Sequence, residues 1–280
     1  MGRLRRLDSE LVRRKLAPSR TRAAALIREG RVLVDGQQAD KPARQIDPAQ
    51  ALVVTENGDP DYASRGGHKL AGALDYLGDA APPISGQVCL DAGASTGGFT
   101  DVLLRHGAAK VYAVDVGYGQ LAWRLASDPR VDQRDRTNVR LITPEDFDPA
   151  PTIIVSDLSF ISLTLVIEPL ARVAAPRADL ILMVKPQFEI GKDRLGAGGV
   201  VRDPADHIET VERVARCAID KGLVLAPVAP SPLPGPAGNV EYFLHLIKGA
   251  DPSLQAKEGV VSDMIAEAVA RGPAGGRTAS

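Results

Sequence analysis

Seven apolar runs follow one another from Val88 onward, and segments with helical spacing separate most of them. The runs are VCLDAG, KVYAVDV, VRLIT, TIIVSD, LILMVK, LVLAPV and VEYFLHLI. Such alternation is typical of a mostly parallel sheet with helices on both faces. A proline-rich loop without a helical pattern joins the last two runs, which predicts an antiparallel hairpin at one edge. We therefore predict an α/β fold with a seven-stranded sheet.

The chain has 280 residues, 44% of them hydrophobic, which is enough for one full α/β domain and a smaller module. The composition changes at 56–61, ENGDPD, which is typical of a linker. We predict a small N-terminal domain at 1–60, a linker at 61–63 and the α/β domain at 64–271. The glycine-rich end, 272–280, is predicted to be disordered.

The N-terminal domain is predicted to be a small α+β module. Four apolar residues recur at helical spacing, namely Leu4, Leu7, Leu11 and Val12. Ser19 can cap a second helix, which Gly30 is expected to end. Beyond it, apolar and polar residues alternate around Asp35-Gly36, a strong signal for a hairpin turn.

Charge is distributed unevenly along the chain. The net charge is −1, but residues 1–45 contain 12 Lys and Arg against 5 Asp and Glu, so this end carries +7 and the remainder −8. A basic end on a mildly acidic body predicts that the first module binds a polyanion. The alternative is a charged helix that is merely solvated.

Cysteine content and hydropathy indicate the compartment. Cys89 and Cys217 lie far apart and fit neither a disulfide framework nor a metal-binding spacing, so a reducing compartment is expected. The N-terminus has no apolar run of the signal-peptide type. The most apolar stretch, 152–170, is interrupted by two acids and a proline, so we expect no membrane span and a cytoplasmic location.

A glycine-rich loop follows the first strand of the predicted sheet, at 91–99 (DAGASTGGF), and a helix is expected from there to Gly107. In a Rossmann-like fold the ligand binds at this loop, where glycines allow a close backbone approach. Ser95 or Thr96 is expected to open the helix. Asp115 ends the second strand about twenty residues later, where a carboxylate can bind the hydroxyls of a ribose.

The form of the loop bears on which ligand binds. GASTGG departs from the dinucleotide-binding pattern GxGxxG. DAGASTGGF instead resembles the first motif of methyltransferases, in which no pyrophosphate sits on the helix N-terminus. S-adenosylmethionine is therefore favoured over NAD as the cofactor, and no metal is expected.

Four charged residues are predicted to form a catalytic set, because three stand at or near strand ends and one precedes the first strand of the α/β domain. They are Lys69, Asp157, Lys185 and Glu241. If the acceptor is a ribose hydroxyl, the protein must orient it and help remove its proton. Lys185 could be a neutral base whose pKa Lys69 lowers, or a charged group that stabilises the developing alkoxide. Ordinary strand-end ion pairs are the alternative to catalysis.

Other methyl acceptors fit the sequence less well. Base N-methylation typically needs Asn or Asp with Pro-Pro and an aromatic residue after the fourth strand, whereas 156–160 reads SDLSF. C5 methylation of pyrimidines needs a cysteine nucleophile, and neither cysteine is suitably placed. An oxygen acceptor remains.

The first sixty residues resemble the S4 RNA-binding domain, through LDSELVRRKLAPSRTRAAALIREGRVLVDGQQADKPARQI. In that family the helical face holds the RNA backbone, and such phosphate contacts position a protein without reading sequence. The resemblance places RNA binding on Arg5, Arg13, Arg14, Ser19, Arg20 and Arg22.

Most of the chain resembles the TlyA-type rRNA methyltransferases, some of which carry the name hemolysin and whose catalytic domain is FtsJ-like. The matching stretches include SRGGHKLAGAL, CLDAGASTGGFTDVLLRHG, SDLSFISL, MVKPQFEIGKDRLGAGGVVRD and SPLPGPAGNVEYF. The resemblance implies 2′-O-methylation of cytidines in 16S rRNA, 23S rRNA or both, within ribosomal subunits. It places catalysis on the four charged residues above. It places the cofactor site on Gly93, Ser95, Thr96, Gly97, Asp115 and Asn138. Asp91, which begins the glycine-rich loop, is predicted to belong to the same site.

Two other classes of function compete with this one. An S4 protein with a degenerate methyltransferase domain would bind rRNA without turnover, but the intact charged set argues against it. A membrane-lytic protein is suggested only by the hemolysin name, and the sequence has no span or strongly amphipathic basic helix.

Overall fold

The computed structural model describes residues 4–28, 30–35, 37–54, 61–191, 193–196, 198–235 and 237–273. The chain divides into two compact units, Met1–Asp61 and Tyr62–Ser280. Residues 56–60 of the segment where the composition changes, and 274–280 of the predicted disordered tail, lie outside the described part.

The first unit packs two helices against short strands. Its elements are β1 (Arg5–Arg6), α1 (Leu7–Arg13), α2 (Arg20–Arg28), β2 (Val32–Val34), β3 (Gln37–Gln38), β4 (Gln45–Ile46) and β5 (Leu52–Val54). The first helix begins at Leu7, so the prediction that Leu4 belongs to it was wrong. Arg5 and Arg6 instead pair antiparallel with β4, and the Leu4 side chain is 56% exposed.

The local signals in this unit match its structure. The Ser19 hydroxyl accepts a hydrogen bond from the Arg22 N–H at 3.2 Å, as an N-cap does. Strands β2 and β3 pair antiparallel across the predicted turn, with Val34 opposite Gln37, and Asp35 has a φ of +50°. Positive φ is what a two-residue hairpin turn requires. The buried core of the unit includes Leu7, Leu11, Ala23, Leu26, Ile27, Val32, Val34 and Ile46.

The second unit is built on the predicted seven-stranded sheet. Its strands are β6 (Val88–Ala92), β7 (Lys110–Val114), β8 (Val131–Arg134), β9 (Ile153–Ser156), β10 (Ala178–Val184), β11 (Val224–Pro230) and β12 (Tyr242–Lys248). Their order across the sheet is β11-β12-β10-β9-β6-β7-β8. Strand β12 runs antiparallel to β10 and β11, whereas the other pairs are parallel. The predicted fold class and the edge hairpin are confirmed.

The third strand differs from the prediction. VRLIT, residues 139–143, is not a strand, and β8 comes from the preceding segment VDQR, which pairs with β7. Val139 and Ile142 are buried in the core beneath the sheet, which explains their apolar character. Strand β8 lies at the sheet edge with its side chains only half-buried, so it carries almost no apolar signal.

Helices cover both faces of the sheet, as predicted. They are α3 (Arg65–Leu77), α4 (Gly98–Arg105), α5 (Trp123–Ala126), α6 (Ile167–Val173), α7 (Pro186–Glu189), α8 (Pro204–Asp220) and α9 (Glu258–Arg271). Helices α3 and α4 contribute to one hydrophobic core, and α6, α8 and α9 to the other. No helix in the described ranges has the length and apolar character needed to cross a membrane.

Helix α4 begins differently from the prediction. Its N-cap is Gly97, with a φ of +96°, and neither Ser95 nor Thr96 caps it. The loop must turn through a left-handed conformation at this point, which glycine adopts at low cost. Helix α3 has a regular cap, because the Ser64 hydroxyl accepts from the Gly66 N–H at 3.3 Å.

Candidate active site

The four predicted catalytic residues meet in one cavity of about 330 Å³ at the carboxyl ends of the parallel strands. Lys69 lies on α3, Asp157 follows β9, Lys185 follows β10, and Glu241 precedes β12. The parallel strands β9 and β10 bring Asp157 and Lys185 to one edge of the sheet. The start of the antiparallel strand β12 places Glu241 at the same edge, and α3 brings Lys69 to it across 172 residues of sequence.

The set consists of two ion pairs. The Lys69 ammonium donates to the Glu241 carboxylate, and both side chains are buried. The Lys185 Nζ lies 2.5 Å from Asp157 Oδ1 and donates to the Ser159 hydroxyl at 2.9 Å. Each cation therefore has its own anion. In this geometry Lys185 donates a hydrogen bond to Ser159 and forms an ion pair with Asp157.

Ser159 is a site residue that the sequence reasoning missed. It lines the same cavity and is the second residue after Asp157 in SDLSF. The position of Ser159 two residues after Asp157, a predicted catalytic acid, was the one sequence signal that could have indicated this serine. Because Lys185 donates to the Ser159 oxygen, the serine hydroxyl hydrogen remains available to another acceptor. Further lining residues that were not predicted are Ser64, Arg65, Gly66, Phe99 and Pro234.

The glycine-rich loop forms one wall of this cavity through Gly93, Ser95 and Thr96. Gly93 has a φ of +91°, and a Cβ added there would lie 2.7 Å from the Asp157 carbonyl oxygen. Only glycine allows the loop to approach the segment after β9 this closely. The loop therefore brings the predicted cofactor site next to the charged set.

Asp115 holds the glycine-rich loop in place from the neighbouring strand. Its carboxylate accepts hydrogen bonds from the Ser95 N–H at 2.8 Å and the Gly117 N–H at 2.6 Å. Each of the two carboxylate oxygens accepts one of these hydrogen bonds, and each oxygen keeps a further lone pair. Asp115 is half-buried and does not line the cavity itself.

The other predicted cofactor residues lie outside the cavity lining. Asp91 is fully buried under the loop, where its Oδ2 accepts from the Thr100 hydroxyl at 2.7 Å. Burial raises the pKa of Asp91 to about 7. Gly97 caps α4, and Asn138 is exposed, with its Oδ1 accepting from the Arg140 N–H at 3.0 Å. Asp91 and Gly97 therefore shape the loop and do not face the cavity.

A second cavity, of about 810 Å³, adjoins the first and shares Ser159, Lys185 and Glu241 with it. Its other lining includes Phe160 and Phe188, whose ring centroids lie 5.2 Å apart. The sequence reasoning did not find this aromatic pair.

Phe160 combines two unusual features. Its side chain is 90% exposed, and its backbone has a φ of +63°. A left-handed conformation at a bulky residue costs on the order of 1–3 kcal/mol, and such strain is concentrated at functional sites. Because the side chain is exposed, burial of the Phe160 ring does not offset that cost. The conformation instead presents the ring at the mouth of the second cavity.

Glu189 supports the segment that carries Phe160. It is buried, accepts from the Ser162 hydroxyl at 2.6 Å and from the Leu163 N–H at 2.8 Å, and burial raises its pKa. Because Glu189 ends α7, these bonds connect the segment after β9 with the helix that begins next to Lys185.

The predicted RNA-binding arginines of the first unit gather around carboxylates. Arg5, Arg13 and Arg14 surround Glu10, Arg20 contacts Asp8, and Arg22 contacts Asp61. Arg14 is the least exposed of them. Its guanidinium donates to the carbonyl oxygens of Pro48 at 2.7 Å and Gln50 at 2.9 Å, which ties α1 to the loop before β5.

Comparison with known proteins agrees with this architecture. The family model for FtsJ-like methyltransferases matches residues 62–248, and the model for S4 domains matches residues 5–51. The 16S/23S rRNA (cytidine-2′-O)-methyltransferase TlyA of Mycobacterium tuberculosis is 50% identical over 98% of this chain and 100% of its own length. The chain belongs to the TlyA group of FtsJ-like methyltransferases.

Further relatives extend this TlyA assignment. The 23S rRNA (cytidine-2′-O)-methyltransferase TlyA of Campylobacter jejuni is 31% identical, with 85% of this chain and 97% of the relative covered. Hemolysin A of Brachyspira hyodysenteriae is 37% identical, with 86% and 99% covered. A solved structure titled as a hemolysin of Streptococcus thermophilus superimposes with a TM-score of 0.72 at 35% identity and covers 96% of both chains. The predicted family, fold and methyltransferase activity are confirmed.

Proposed function

We propose that the protein transfers a methyl group from S-adenosylmethionine to the 2′-hydroxyl of cytidine in ribosomal RNA. The observation that carries this proposal is the meeting of two lysine–carboxylate pairs with a glycine-rich loop in one cavity. The relatives named as rRNA (cytidine-2′-O)-methyltransferases support the acceptor. Ribosomal subunits in the cytoplasm are the proposed setting.

The residues around the glycine-rich loop fit an S-adenosylmethionine molecule. Gly93 lets the loop pack against the Asp157 backbone, which places the loop beside the charged set, and the Asp115 carboxylate has lone pairs suited to ribose hydroxyls. When bound, the cofactor supplies an electrophilic methyl group. The chain's own contribution is then to hold the acceptor hydroxyl and to handle its proton.

Asp157, Lys185 and Ser159 are proposed to act on the acceptor hydroxyl. Lys185 donates to the Ser159 hydroxyl and is ion-paired with Asp157, so its ammonium group is held where it can also donate to a developing alkoxide. Asp157 can receive the hydroxyl proton directly or through the lysine. The buried Lys69–Glu241 pair keeps the other wall of the cavity polar and fixed.

The second cavity is proposed to receive the base of the target nucleotide. Single-stranded or extruded bases are typically held by stacking on aromatic side chains. Phe160 and Phe188 provide such a surface beside Lys185, and Ser159 lies at the junction of the two cavities. This placement would leave the ribose next to the charged set.

Incubating the protein with tritiated S-adenosylmethionine and separate ribosomal subunits, followed by mapping of 2′-O-methyl positions, tests the proposed function. We expect ribose methylation of cytidine in the RNA of one or both subunits. Base methylation alone would contradict the proposal. Cofactor binding without turnover would favour the rRNA-binding alternative.

Asp115→Asn is expected to weaken cofactor binding by roughly 1–3 kcal/mol, because an amide cannot accept from both backbone N–H groups and a ribose hydroxyl as a carboxylate can. Isothermal titration with S-adenosylmethionine measures the change. Asp135→Asn is a matched control, because its carboxylate also accepts from a loop N–H, that of Gly119, but does not bond to the glycine-rich loop. An unchanged dissociation constant for Asp115→Asn would assign Asp115 a structural role only.

Phe160→Gly is expected to lower activity without lowering stability. Glycine relieves the left-handed strain, which offsets its greater flexibility in the unfolded chain, and the exposed ring contributes little burial. We expect an unfolding free energy within about 1 kcal/mol of the wild type and a KM for rRNA raised by roughly 10-fold, as removal of one stacking interaction predicts. Phe160→Tyr keeps the ring and should keep the KM. An unchanged KM in Phe160→Gly would remove this residue from acceptor binding.

A further inference from the structure

The basic first unit contains two buried acids whose position needs a physical explanation. Asp8 and Glu10 lie on α1, where the predicted RNA-binding arginines also begin. Both carboxylates are buried, although acids are rarely buried unless paired. A negative charge near a phosphate-binding surface should also weaken RNA binding.

Glu10 is the centre of one arginine cluster. Arg13 donates to it through Nε at 2.8 Å and Nη2 at 2.5 Å, and Arg14 donates through Nε at 2.8 Å. The Nε atom of Arg5 lies 4.0 Å away. The hydrogen bonds from Arg13 are the main reason that the pKa of Glu10 falls to about 2. Glu10 is therefore charged at neutral pH.

Asp8 is the centre of a second cluster. Arg6 donates to it through Nε at 3.1 Å and Nη2 at 2.9 Å, and Arg20 donates through Nη2 at 3.1 Å. The Ser9 N–H donates at 2.8 Å. The Arg6 hydrogen bonds hold the pKa of Asp8 well below its usual value. Helices α1 and α2 are thereby joined through one carboxylate.

Exposure separates the acids from their partners. The Glu10 side chain has no exposed surface, whereas Arg5 and Arg13 are 54% and 50% exposed, and Arg20 on Asp8 is 61% exposed. Each guanidinium has five N–H donors, and the carboxylate uses at most two of them. The buried carboxylates therefore hold the guanidinium groups in place, while the N–H groups that the carboxylates do not use remain exposed.

We propose that Asp8 and Glu10 are positioning residues that hold the arginines of this unit in the geometry that RNA phosphates require. An unrestrained arginine loses about 2 kcal/mol of rotamer entropy when it is immobilised, and an arginine already fixed loses less. The proposal rests on the proposed function, because it assumes that this unit binds rRNA.

The sign of one mutational effect distinguishes positioning from simple electrostatics. Neutralising an acid raises the charge of the unit by one, so electrostatics alone predicts tighter RNA binding with an equal or steeper salt dependence. Loss of positioning predicts weaker binding with a shallower dependence, because fewer phosphates are bound. A carboxylate that only stabilises the fold predicts lower apparent affinity with an unchanged slope.

The experiment uses the full chain and transcribed 16S and 23S rRNA, with dissociation constants measured between about 50 and 200 mM salt. For Glu10→Gln and for Asp8→Asn we expect affinity to fall several-fold. We also expect the slope of log affinity against log salt to become shallower by about one for each phosphate that the variant no longer binds. Asp40→Asn changes the charge equally at an exposed acid of the same unit and should bind as well as the wild type or better.

Tighter or equal binding in both variants overturns the proposal, and so does weaker binding with the wild-type slope. Arg13→Ala and Arg20→Ala test the underlying function separately. If these arginine variants bind rRNA as the wild type does, this surface does not contact RNA, and the proposed RNA role of the unit fails together with the inference. If they bind weakly while Glu10→Gln binds tightly, only the inference fails.

Discussion

Lys185→Ala is expected to reduce the rate of methyl transfer by about 10²–10⁴-fold, the range seen when a proton-transfer group or an oxyanion donor is removed. Lys185 is one of three residues that line both cavities, and it donates a hydrogen bond to Ser159 and forms an ion pair with Asp157. Cofactor affinity should stay within about 3-fold, because the glycine-rich loop and Asp115 do not bond to this lysine. Single-turnover assays and isothermal titration measure the two quantities.

Lys185→Arg separates the two roles that the sequence left open. Arginine remains charged in proteins, so it can stabilise an alkoxide but cannot act as a base. Partial activity in Lys185→Arg, well above that of Lys185→Ala, would support charge stabilisation. Lys221→Ala removes a lysine that follows α8 and pairs with Glu168 on α6. Lys221 lines neither of the two cavities, so this variant should turn over normally. Near-normal turnover in Lys185→Ala would remove this residue from the mechanism.

Removal of residues 1–61 is expected to lower kcat/KM for rRNA by about 100-fold or more while leaving cofactor affinity unchanged. Removal of several phosphate-binding groups has an effect of this size. Because the second unit has its own two hydrophobic cores, the fragment 62–280 should fold by itself. Circular dichroism, isothermal titration and methylation assays check fold, cofactor binding and activity in turn.

Raising the rRNA concentration provides the control for this deletion. If the first unit contributes affinity alone, the fragment should regain much of its turnover at high rRNA concentration, since the charged set lies entirely in 62–280. Equal kcat/KM for fragment and full chain would move RNA recognition onto the catalytic unit. A fragment that binds cofactor but stays inactive at all rRNA concentrations would give the first unit a role beyond affinity.

The sheet could be predicted because strands that are buried on both faces are apolar, and six of the seven apolar runs contribute strands. The prediction that the third run, 139–143, forms a strand was wrong for a related reason. An apolar run records burial and not conformation, and Val139 and Ile142 are buried outside any strand. Strand β8 is held at the sheet edge by backbone hydrogen bonds with β7, which need no particular side chains.

The four charged residues were predicted to gather at one site from their positions in the sequence, but their arrangement was not predicted. The positions of the strand ends predicted where the charged residues would lie. The pairing of Lys69 with Glu241 and of Lys185 with Asp157 depends instead on distances between four separate elements. The second cavity was missed for a different reason. Phe160 stands in the sequence as an ordinary apolar residue, and its exposure and positive φ arise only in the folded chain.

The sequence by itself determined the fold class, the place of the glycine-rich loop and the residue types at the strand ends, because periodicity and turn chemistry are local properties. Only the tertiary structure decided which charges pair, which acids are buried and which arginines stay exposed. Asp8 and Glu10 show the difference clearly, since in the sequence they are two acids in a basic helix. The pairs of Glu10 with Arg13 and Arg14 have the local spacings i,i+3 and i,i+4. The burial of both acids and the contact of Asp8 with Arg20 depend instead on the packing of α1 against α2 and the strands, which no local pattern encodes.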